Sequence, residues 1–471
     1  MAITRRQFVT RLGALAAVVG FSQAEVSKIA EAFGANTTAF GGTHDKPRVI
    51  WVHGAECTGC STSLLGILES PSGHPLPLAM PGVTTADAAV TLGGVEAGSK
   101  YAGKFGVSQA PGENTNLFTL WTGNEDNLDH TTGPLHLPPQ VNAIEGAALI
   151  NIADVVIDVI DLQYHETVMG MGGDLAAKWL DDFANYTVGS SAGPGELPFL
   201  LVVEGALQNK NQGGAWGDTA GNGAPWCSIG MTDDGSVELD MPTVVEKLAK
   251  KSTCKAIIPI GQCACFGGYP GCKPNISTAD AGFTATMSQT GAMGVGDYLK
   301  ASLDVNVQAA AAKVINVPGC PTNPWWFVLT VVLWMADYIT GDIHILDGAK
   351  MPLASAVDSE GRLKLVYPIN VHGGYCSRHD AFKAGVFALH PGEPGCLNKI
   401  GCKGMGTKSL CGIHGWNNQQ PENSSAPGSL AALNPTAALK ASGGHCTRAG
   451  HPCMACTEKG YPDAFVPYVK I

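Results

Sequence analysis

Short apolar runs that recur along the chain constrain its fold most strongly. Five runs rich in Val and Ile are separated by helical or Gly-rich segments: "RVIWV", "DVVIDVI", "FLLVV", "AIIPI" and "KVINV". Continuous apolar strands of this kind are typical of a parallel sheet whose two faces are both covered by helices. The sequence therefore predicts an α/β fold with its ligands beyond the carboxyl ends of the strands, where such sheets bind them.

Cysteines follow three of these runs. Cys57 and Cys60 stand in "HGAECTGC" after the first run, Cys263 follows "AIIPI", and Cys320 follows "KVINV". Because the carboxyl ends of parallel strands share one edge of a sheet, we expect the four thiols to converge there. A 4Fe-4S cluster needs four thiolates, and the glycines beside these cysteines allow the backbone to approach it closely. The sequence thus predicts an iron-sulfur site at this edge.

The total of 15 cysteines also raises the possibility of disulfides. Disulfides are frequent in exported proteins, and a disulfide-bonded binding protein without a redox role is one alternative. However, the count is odd, a chain of 471 residues can build a core without covalent staples, and the thiols fall in groups. This distribution favours metal ligation.

The charge balance excludes some partners. The net charge is −11, with only 29 Lys and Arg against 40 Asp and Glu. A nucleic-acid-binding chain would carry a basic surface, so this composition disfavours a nucleic acid as partner. The length suggests two domains, or one large domain with insertions.

The amino terminus resembles a twin-arginine export signal, with Arg5 and Arg6, then Phe8, then a short apolar run. We interpret residues 1–45 as this signal and a linker, with an amphipathic first helix as the alternative. The expected location is the periplasm or the outer face of the cytoplasmic membrane. A second apolar run, "WWFVLTVVLWMA", is too short to span a bilayer and predicts a buried core helix. Because the chain ends in "AFVPYVKI", we expect any membrane attachment to go through another subunit.

The composition changes near residue 346. Apolar periodicity fades while Gly, Pro, Asn and Cys increase, which indicates loops folded around metal rather than around an apolar core. We therefore divide the chain into 46–345 and a loop-rich domain, 346–471. The candidate ligands of the second part are His372, Cys376, Cys396, Cys402, Cys411, Cys446, Cys453 and Cys456.

Several motifs together resemble the small, iron-sulfur subunit of nickel-iron hydrogenases. They are "HGAECTGCSTSLL", "HETVMGMGG", "VEGALQNK", "GQCACFGG", "GCPTNP", "GCKG" and "AGHPCMACTE", in the order of that family. The resemblance implies a flavodoxin-like parallel sheet domain with a proximal cluster, followed by an iron-sulfur domain with medial and distal clusters. It also implies a separate large subunit that carries the nickel-iron centre.

The resemblance assigns the ligands of the three clusters as follows. A proximal 4Fe-4S cluster takes Cys57, Cys60, Cys263 and Cys320. A distal 4Fe-4S cluster takes His372, Cys376, Cys396 and Cys402. A medial cluster takes Cys411, Cys453 and Cys456.

Two ligands depart from the family's usual pattern. Three residues, not two, separate the distal His372 from Cys376, so His379 is a rival ligand. Cys446 stands where the commonest members have a proline and hold a 3Fe-4S cluster. A fourth thiolate at that corner predicts a medial 4Fe-4S cluster, with 3Fe-4S as the alternative if Cys446 points away.

The implied function is electron transfer. As the small subunit of a hydrogenase complex, the chain would relay electrons between the hydrogen-activating site of the large subunit and an external redox partner, such as a cytochrome or a membrane quinone-linked subunit. A cluster subunit of another respiratory enzyme, related to NADH:quinone oxidoreductase, is the alternative. The known form of that subunit lacks the cysteine-rich carboxyl-terminal part, which disfavours it here.

Overall fold

The computed structural model describes residues 47–65, 160–185, 198–208, 226–272, 291–409, 411, 416 and 445–462, with gaps of one or two residues. The proposed export signal lies outside the described residues. The described strands are β1 (Arg48–His53), β2 (Asp161–His165), β3 (Phe199–Glu204), β4 (Leu207–Gln208), β5 (Ser228–Met231), β6 (Glu238–Asp240), β7 (Cys254–Ile260) and β8 (Ala292–Met293).

The described α-helices differ widely in length. They are α1 (Gly59–Leu65), α2 (Gly173–Asn185), α3 (Met241–Ala249), α4 (Gly261–Phe266), α5 (Val295–Ala301), α6 (Val305–Ala310), α7 (Pro324–Thr340) and α8 (His379–Lys383). Single 3-10 turns are present at Ala311–Lys313 and Leu397–Ile400.

A parallel sheet lies at the centre, in the order β2-β1-β3-β7. Val314 and Val317 bridge in parallel to Ile257 and Ile260 of β7, so the "KVINV" segment extends the sheet beyond β7. Numbered along the chain, the five strands follow the order 2-1-3-4-5, the order of flavodoxin-like sheets. The predicted α/β fold is confirmed. Its switch point, where ligands bind in such folds, lies between β1 and β3.

Strand residues alternate between two apolar cores. In β3, Leu200 and Val202 pack into the core formed with α7, whereas Leu201 and Val203 pack into the core formed with α2 and α3. This is the period of two expected when both faces of a sheet are covered. Four of the five predicted strands coincide with β1, β3, β7 and the 314–317 segment. The run "DVVIDVI" lies outside the described residues except for its last residue, and β2 begins directly after it.

The predicted core helix is α7. Trp326, Trp334 and Leu333 are each at most 2% exposed, so the central part of this helix is buried. No helix in the described ranges combines the length and apolarity needed to cross a membrane.

Residues after α7 contain little regular structure within the described ranges, as expected for the loop-rich part. Asp337 near the end of α7 holds the next loop, because its carboxylate accepts the backbone N–H groups of residues 343–346 at 2.7–3.0 Å. Leu363 and Val366 belong to the same buried cluster as β1. Core packing therefore continues past residue 345, and the domain boundary predicted there stays a prediction.

Candidate metal centre

Glu204, the last residue of β3, anchors the helix that carries Cys60. One carboxylate oxygen accepts the backbone N–H groups of Cys60 and Ser61 at 3.0 and 3.1 Å. The other accepts the Ser61 hydroxyl at 2.5 Å and the Trp51 indole N–H at 3.2 Å. Burial raises the pKa of Glu204, and the His53 charge and the Ser61 hydrogen bond oppose that rise. The four donors fix the first turn of α1 to the end of the sheet.

The four cysteines predicted for the proximal site lie together at this sheet edge. Burial raises the pKa of Cys263 to about 12, and the neighbouring Cys320 and Cys57 contribute to the rise. Cys60 is buried, and its pKa is raised well above the usual range by burial, then by Glu204, with Cys263 also contributing. Its sulfur accepts the Thr322 N–H at 3.4 Å. Thiols that lie this close together are stabilised in the thiolate form when a metal cation binds all of them.

Glycines lie close to three of the four sulfurs. A Cβ on Gly261, which has φ +87°, would lie 2.5 Å from the Cys60 sulfur. A Cβ on Gly268 would lie 2.8 Å from the Cys263 sulfur, and one on Gly59 3.0 Å from the Cys57 sulfur. The residues present therefore fit a cluster held by four cysteines.

A buried polar network lies behind Cys57, and the motifs alone did not assign it. His53 Nδ1 is 3.1 Å from a Glu56 oxygen, and the His53 and His165 rings are 4.9 Å apart. His165 Nε2 in turn lies 3.1 Å from the Ser61 hydroxyl. Burial lowers the pKa of His165 to about 3, and the neighbouring His53 contributes to the fall. The sequence signal for this network was the pair of motifs "HGAE" and "HET", because each stands at the end of a strand of the same sheet.

Three of the four residues predicted for the distal site also lie together. Burial raises the pKa of Cys402, and Cys376 and Cys396 add to the rise because all three thiols are close. The Arg378 guanidinium lies near the same three sulfurs and donates to the Gly395 carbonyl at 2.7 Å. A fixed cation among thiolates offsets part of their negative charge.

The two candidate histidine ligands of the distal site are neighbours. The rings of His372 and His379 are 4.9 Å apart, and His372 also packs on Phe382 at 4.5 Å. The backbone N–H of His372 donates at 2.9 Å to the carbonyl of Gly404, which stands two residues after Cys402. Both imidazoles thus lie at the same edge of the site, and the choice between them stays open.

The fourth thiol predicted for the medial site lies with the other three. Burial raises the pKa of Cys456 well above the usual range, and Cys411, Cys446 and Cys453 each add to the rise. Burial also raises the pKa of Cys411 to about 12, with Cys446 contributing. Cys446 thus lies near Cys411 and Cys456, and its role as a fourth ligand stays a prediction.

Backbone hydrogen bonds connect the three sets in series. The Cys320 N–H is directed at the Cys456 sulfur and lowers its pKa against the effect of burial. The Cys453 N–H donates to the Cys402 sulfur at 3.2 Å. Proximal and medial residues thus meet at one contact, and medial and distal residues meet at another.

The other four cysteines have local roles. Cys254, Cys265 and Cys272 donate to nearby backbone carbonyls, and Cys227 donates to the Gln208 side chain at 3.6 Å. Cys265 is fully buried behind Cys263. These thiols pack as small apolar side chains.

Two family models match separate parts of the chain. Residues 143–334 match the model described as NADH ubiquinone oxidoreductase, 20 Kd subunit. Residues 367–429 match the model for the C-terminal part of the NiFe/NiFeSe hydrogenase small subunit. The second match decides between the two classes weighed from the sequence, because it lies within the cysteine-rich part and includes Cys376, Cys396, Cys402 and Cys411. The chain belongs to the nickel-iron hydrogenase small-subunit family.

Curated members of this family align along most of the chain. The periplasmic [NiFe] hydrogenase small subunit of Solidesulfovibrio fructosivorans is 25% identical over 99% of this chain and 92% of its own length. The F420 non-reducing hydrogenase II small subunit of Methanosarcina mazei is 26% identical over 98% of this chain and 83% of its own. The periplasmic [NiFeSe] hydrogenase small subunit of Desulfomicrobium baculatum is 29% identical over 57% of this chain and 70% of its own length.

Solved hydrogenase structures share the fold of this small-subunit family member. The recombinant [NiFeSe] hydrogenase from Desulfovibrio vulgaris Hildenborough matches 92% of this chain and 100% of its own, with a TM-score of 0.51 and 21% identity. The actinobacterial-type NiFe-hydrogenase from Ralstonia eutropha H16 matches 90% of this chain and 82% of its own, with a TM-score of 0.51 and 19% identity.

Proposed function

We propose that this chain is the electron-transferring subunit of a hydrogen-oxidising or hydrogen-producing complex. The observation that carries the proposal is the serial arrangement of three thiol sets, joined by the Cys320 contact to Cys456 and the Cys453 contact to Cys402. Thiol sets that only stabilise a fold have no need to adjoin one another. A connected series suits one-electron transfer from one end of the chain to the other.

The proposed ligand sets follow from the groups described above. Cys57, Cys60, Cys263 and Cys320 would hold a proximal 4Fe-4S cluster. Cys411, Cys446, Cys453 and Cys456 would hold a medial 4Fe-4S cluster. Cys376, Cys396 and Cys402, with His372 or His379, would hold a distal 4Fe-4S cluster.

Each residue set has a defined task. When bound, such clusters accept and release single electrons, at potentials set by charge and by hydrogen bonds to sulfur. The backbone N–H groups of Thr322, Cys320 and Cys453 supply such hydrogen bonds. Arg378 supplies positive charge at the distal set, and a neutral imidazole ligand there would make the distal site less negative.

A large subunit would cover the proximal edge and carry the nickel-iron centre. Apolar side chains are exposed beyond the carboxyl ends of the strands: Val168 is 48%, Leu175 69% and Tyr269 58% exposed. Cys57 is exposed in the isolated chain as well. A partner that buries this edge would keep water from the proximal set.

The names of relatives suggest where the complex works. Several relatives are described as periplasmic, and the small chain of Wolinella succinogenes is described as quinone-reactive. Together with the twin-arginine-like segment, this supports export to the periplasm and electron exchange with a cytochrome or a membrane quinone-linked subunit.

The experiment is an anaerobic copurification of this chain with its large subunit, followed by spectroscopy under hydrogen. We expect iron-sulfur signals of this chain to become reduced when hydrogen replaces argon. Cys453→Ser should keep the proximal signal reducible by hydrogen while interrupting reduction of the distal one. The proposal would be contradicted if hydrogen did not reduce the clusters of the complex. It would also be contradicted if the cysteines of this chain formed disulfides.

A further inference from the structure

We name five exposed or half-buried residues near the two distal histidines the exit face. It consists of Lys383, Val386, Lys399, Lys403 and Met405. Aromatic packing joins it to the distal set. The Lys399 ammonium lies 4.9 Å over the Phe387 ring, that ring packs at 5.9 Å on Phe382, and Phe382 packs on His372. The Asn398 amide contacts the Met405 sulfur at 3.3 Å, which brings Met405 to the same surface.

The exit face is unusually apolar for an exposed region. Val386 is 51% exposed and Met405 42% exposed, and Leu389 nearby is 61% exposed. They are three of only eight large apolar side chains that are exposed in the described part of the chain. Exposed apolar groups with a charged rim are typical of protein interaction sites.

The exit face is also basic, on a chain with net charge −11. Between residues 378 and 408 there are five basic and two acidic residues. Arg378 donates to backbone carbonyls, and Lys408 pairs with Asp358 at 3.5 Å. Among the described residues, no carboxylate lies within salt-bridge distance of the three exit-face lysines. These cations are available to a partner.

The acidic groups beside the exit face do not cancel its charge. Glu393 accepts the N–H groups of Leu389 and His390 at 2.7 and 3.0 Å, so its carboxylate is engaged by the loop. Asp380 lies in the first turn of α8, next to His379. The lysines remain in excess.

We propose that the exit face docks a small, acidic, one-electron carrier protein. The inference rests on the proposed function and names its redox partner. Lysines around an apolar centre attract an acidic surface and speed its association, while the acidic remainder of the chain repels it elsewhere. In each encounter the carrier gains the one electron that the distal site of this chain loses, or the reverse. A basic cytochrome would meet like charge at this face.

The test compares binding of two oxidised probe proteins to the purified complex of this chain with its large subunit. The probes are an acidic plant-type 2Fe-2S ferredoxin and a basic mitochondrial cytochrome c, titrated calorimetrically at low salt. The key variant is Lys383→Glu with Lys399→Glu. The matched control is Lys255→Glu with Lys300→Glu, which makes the same charge change at the start of β7 and on α5.

We expect the wild-type complex to bind ferredoxin more tightly than cytochrome c. The exit-face double variant should weaken ferredoxin binding about tenfold, an effect that fades at high salt because exposed charges are screened. The control pair should change it little. Val386→Ser should weaken binding equally at low and high salt.

Three results would overturn the inference. They are equal ferredoxin affinity in the exit-face variant and the wild type, preference for cytochrome c, and binding of neither probe. Reduction of benzyl viologen by hydrogen is measured in the same preparations and does not need the docking face. If wild-type complex fails to reduce the dye, the proposed function fails; if it reduces the dye but shows one of the three results, only the docking proposal fails.

Discussion

At the scale of single residues, the proximal set depends on a backbone conformation that favours glycine. Gly261 has φ +87°, a conformation that costs other residues about 1–2 kcal/mol, and a Cβ added there would lie 2.5 Å from the Cys60 sulfur. These two constraints coincide at the point where β7 meets α4.

Gly261→Ala should therefore displace Cys60 and abolish or distort the proximal cluster. Gly341→Ala is the matched control, because Gly341 also has positive φ, +72°, but no atom lies within 4 Å of its Cβ position. Iron content and the proximal spectroscopic signal of the two complexes give the comparison. Equal losses in both variants would mean that backbone strain, not sulfur crowding, is the cause.

Cys446 is the residue whose role is most open to a direct test. Because its thiol lies with those of Cys411 and Cys456, Cys446→Ser should convert a medial 4Fe-4S cluster into a 3Fe-4S cluster. Electron paramagnetic resonance of the oxidised complex should show an intense 3Fe-4S signal in this variant only. Cys227→Ser is the control, since Cys227 contacts Gln208 and no ligand set. The same signal in fresh anaerobic wild type would refute the assignment.

At the scale of elements, one carboxylate joins β1, β3 and α1. Glu204 accepts four hydrogen bonds, from the indole of Trp51, the N–H of Cys60, and both the N–H and the hydroxyl of Ser61. Helix α1 has only seven residues, so its own hydrogen bonds hold it weakly. Its orientation depends on this anchor.

Glu204→Gln should loosen α1, because an amide presents its NH₂ group toward at least one of these donors. An unsatisfied buried donor costs about 1–3 kcal/mol, which should shorten the thermal half-life of proximal iron several-fold. The proximal potential should move as well, since the hydrogen bonding near Cys60 changes. Glu238→Gln, at an exposed position of β6, is the control. Unchanged half-life and potential in Glu204→Gln would show that the anchor is dispensable.

The elements themselves were largely predictable, and the contacts between them were not. Apolar runs gave the positions of β1, β3, β7 and α7 because burial on both faces leaves a continuous pattern. The anchor at Glu204 lies 144 residues from Cys60, and no local pattern encodes such a contact. The grouping of Cys446 with Cys456 was predicted from spacing and a family resemblance. The choice of His372 or His379 as the distal ligand was not settled, since the two rings are neighbours at the same edge of the site.

At the scale of the whole molecule, the surface charge and the contacts between the thiol sets both indicate a path from one edge of the chain to another. Within the described residues, exposed apolar side chains gather near thiol sets at the apolar proximal edge and at the basic exit face. The medial set connects the residues behind them through Cys456 and Cys453. Such an arrangement predicts electron entry at one edge and exit at the other.

Iron and acid-labile sulfide content of the anaerobically purified complex tests the central claim most directly. Three 4Fe-4S clusters predict about twelve iron and twelve sulfide per copy of this chain, in addition to the iron of the large subunit. Chelation should release the iron and unfold the loop-rich part first, because thiol sets rather than an apolar core hold much of it. A chain with disulfides, and without sulfide or iron beyond that of its partner, would contradict the account.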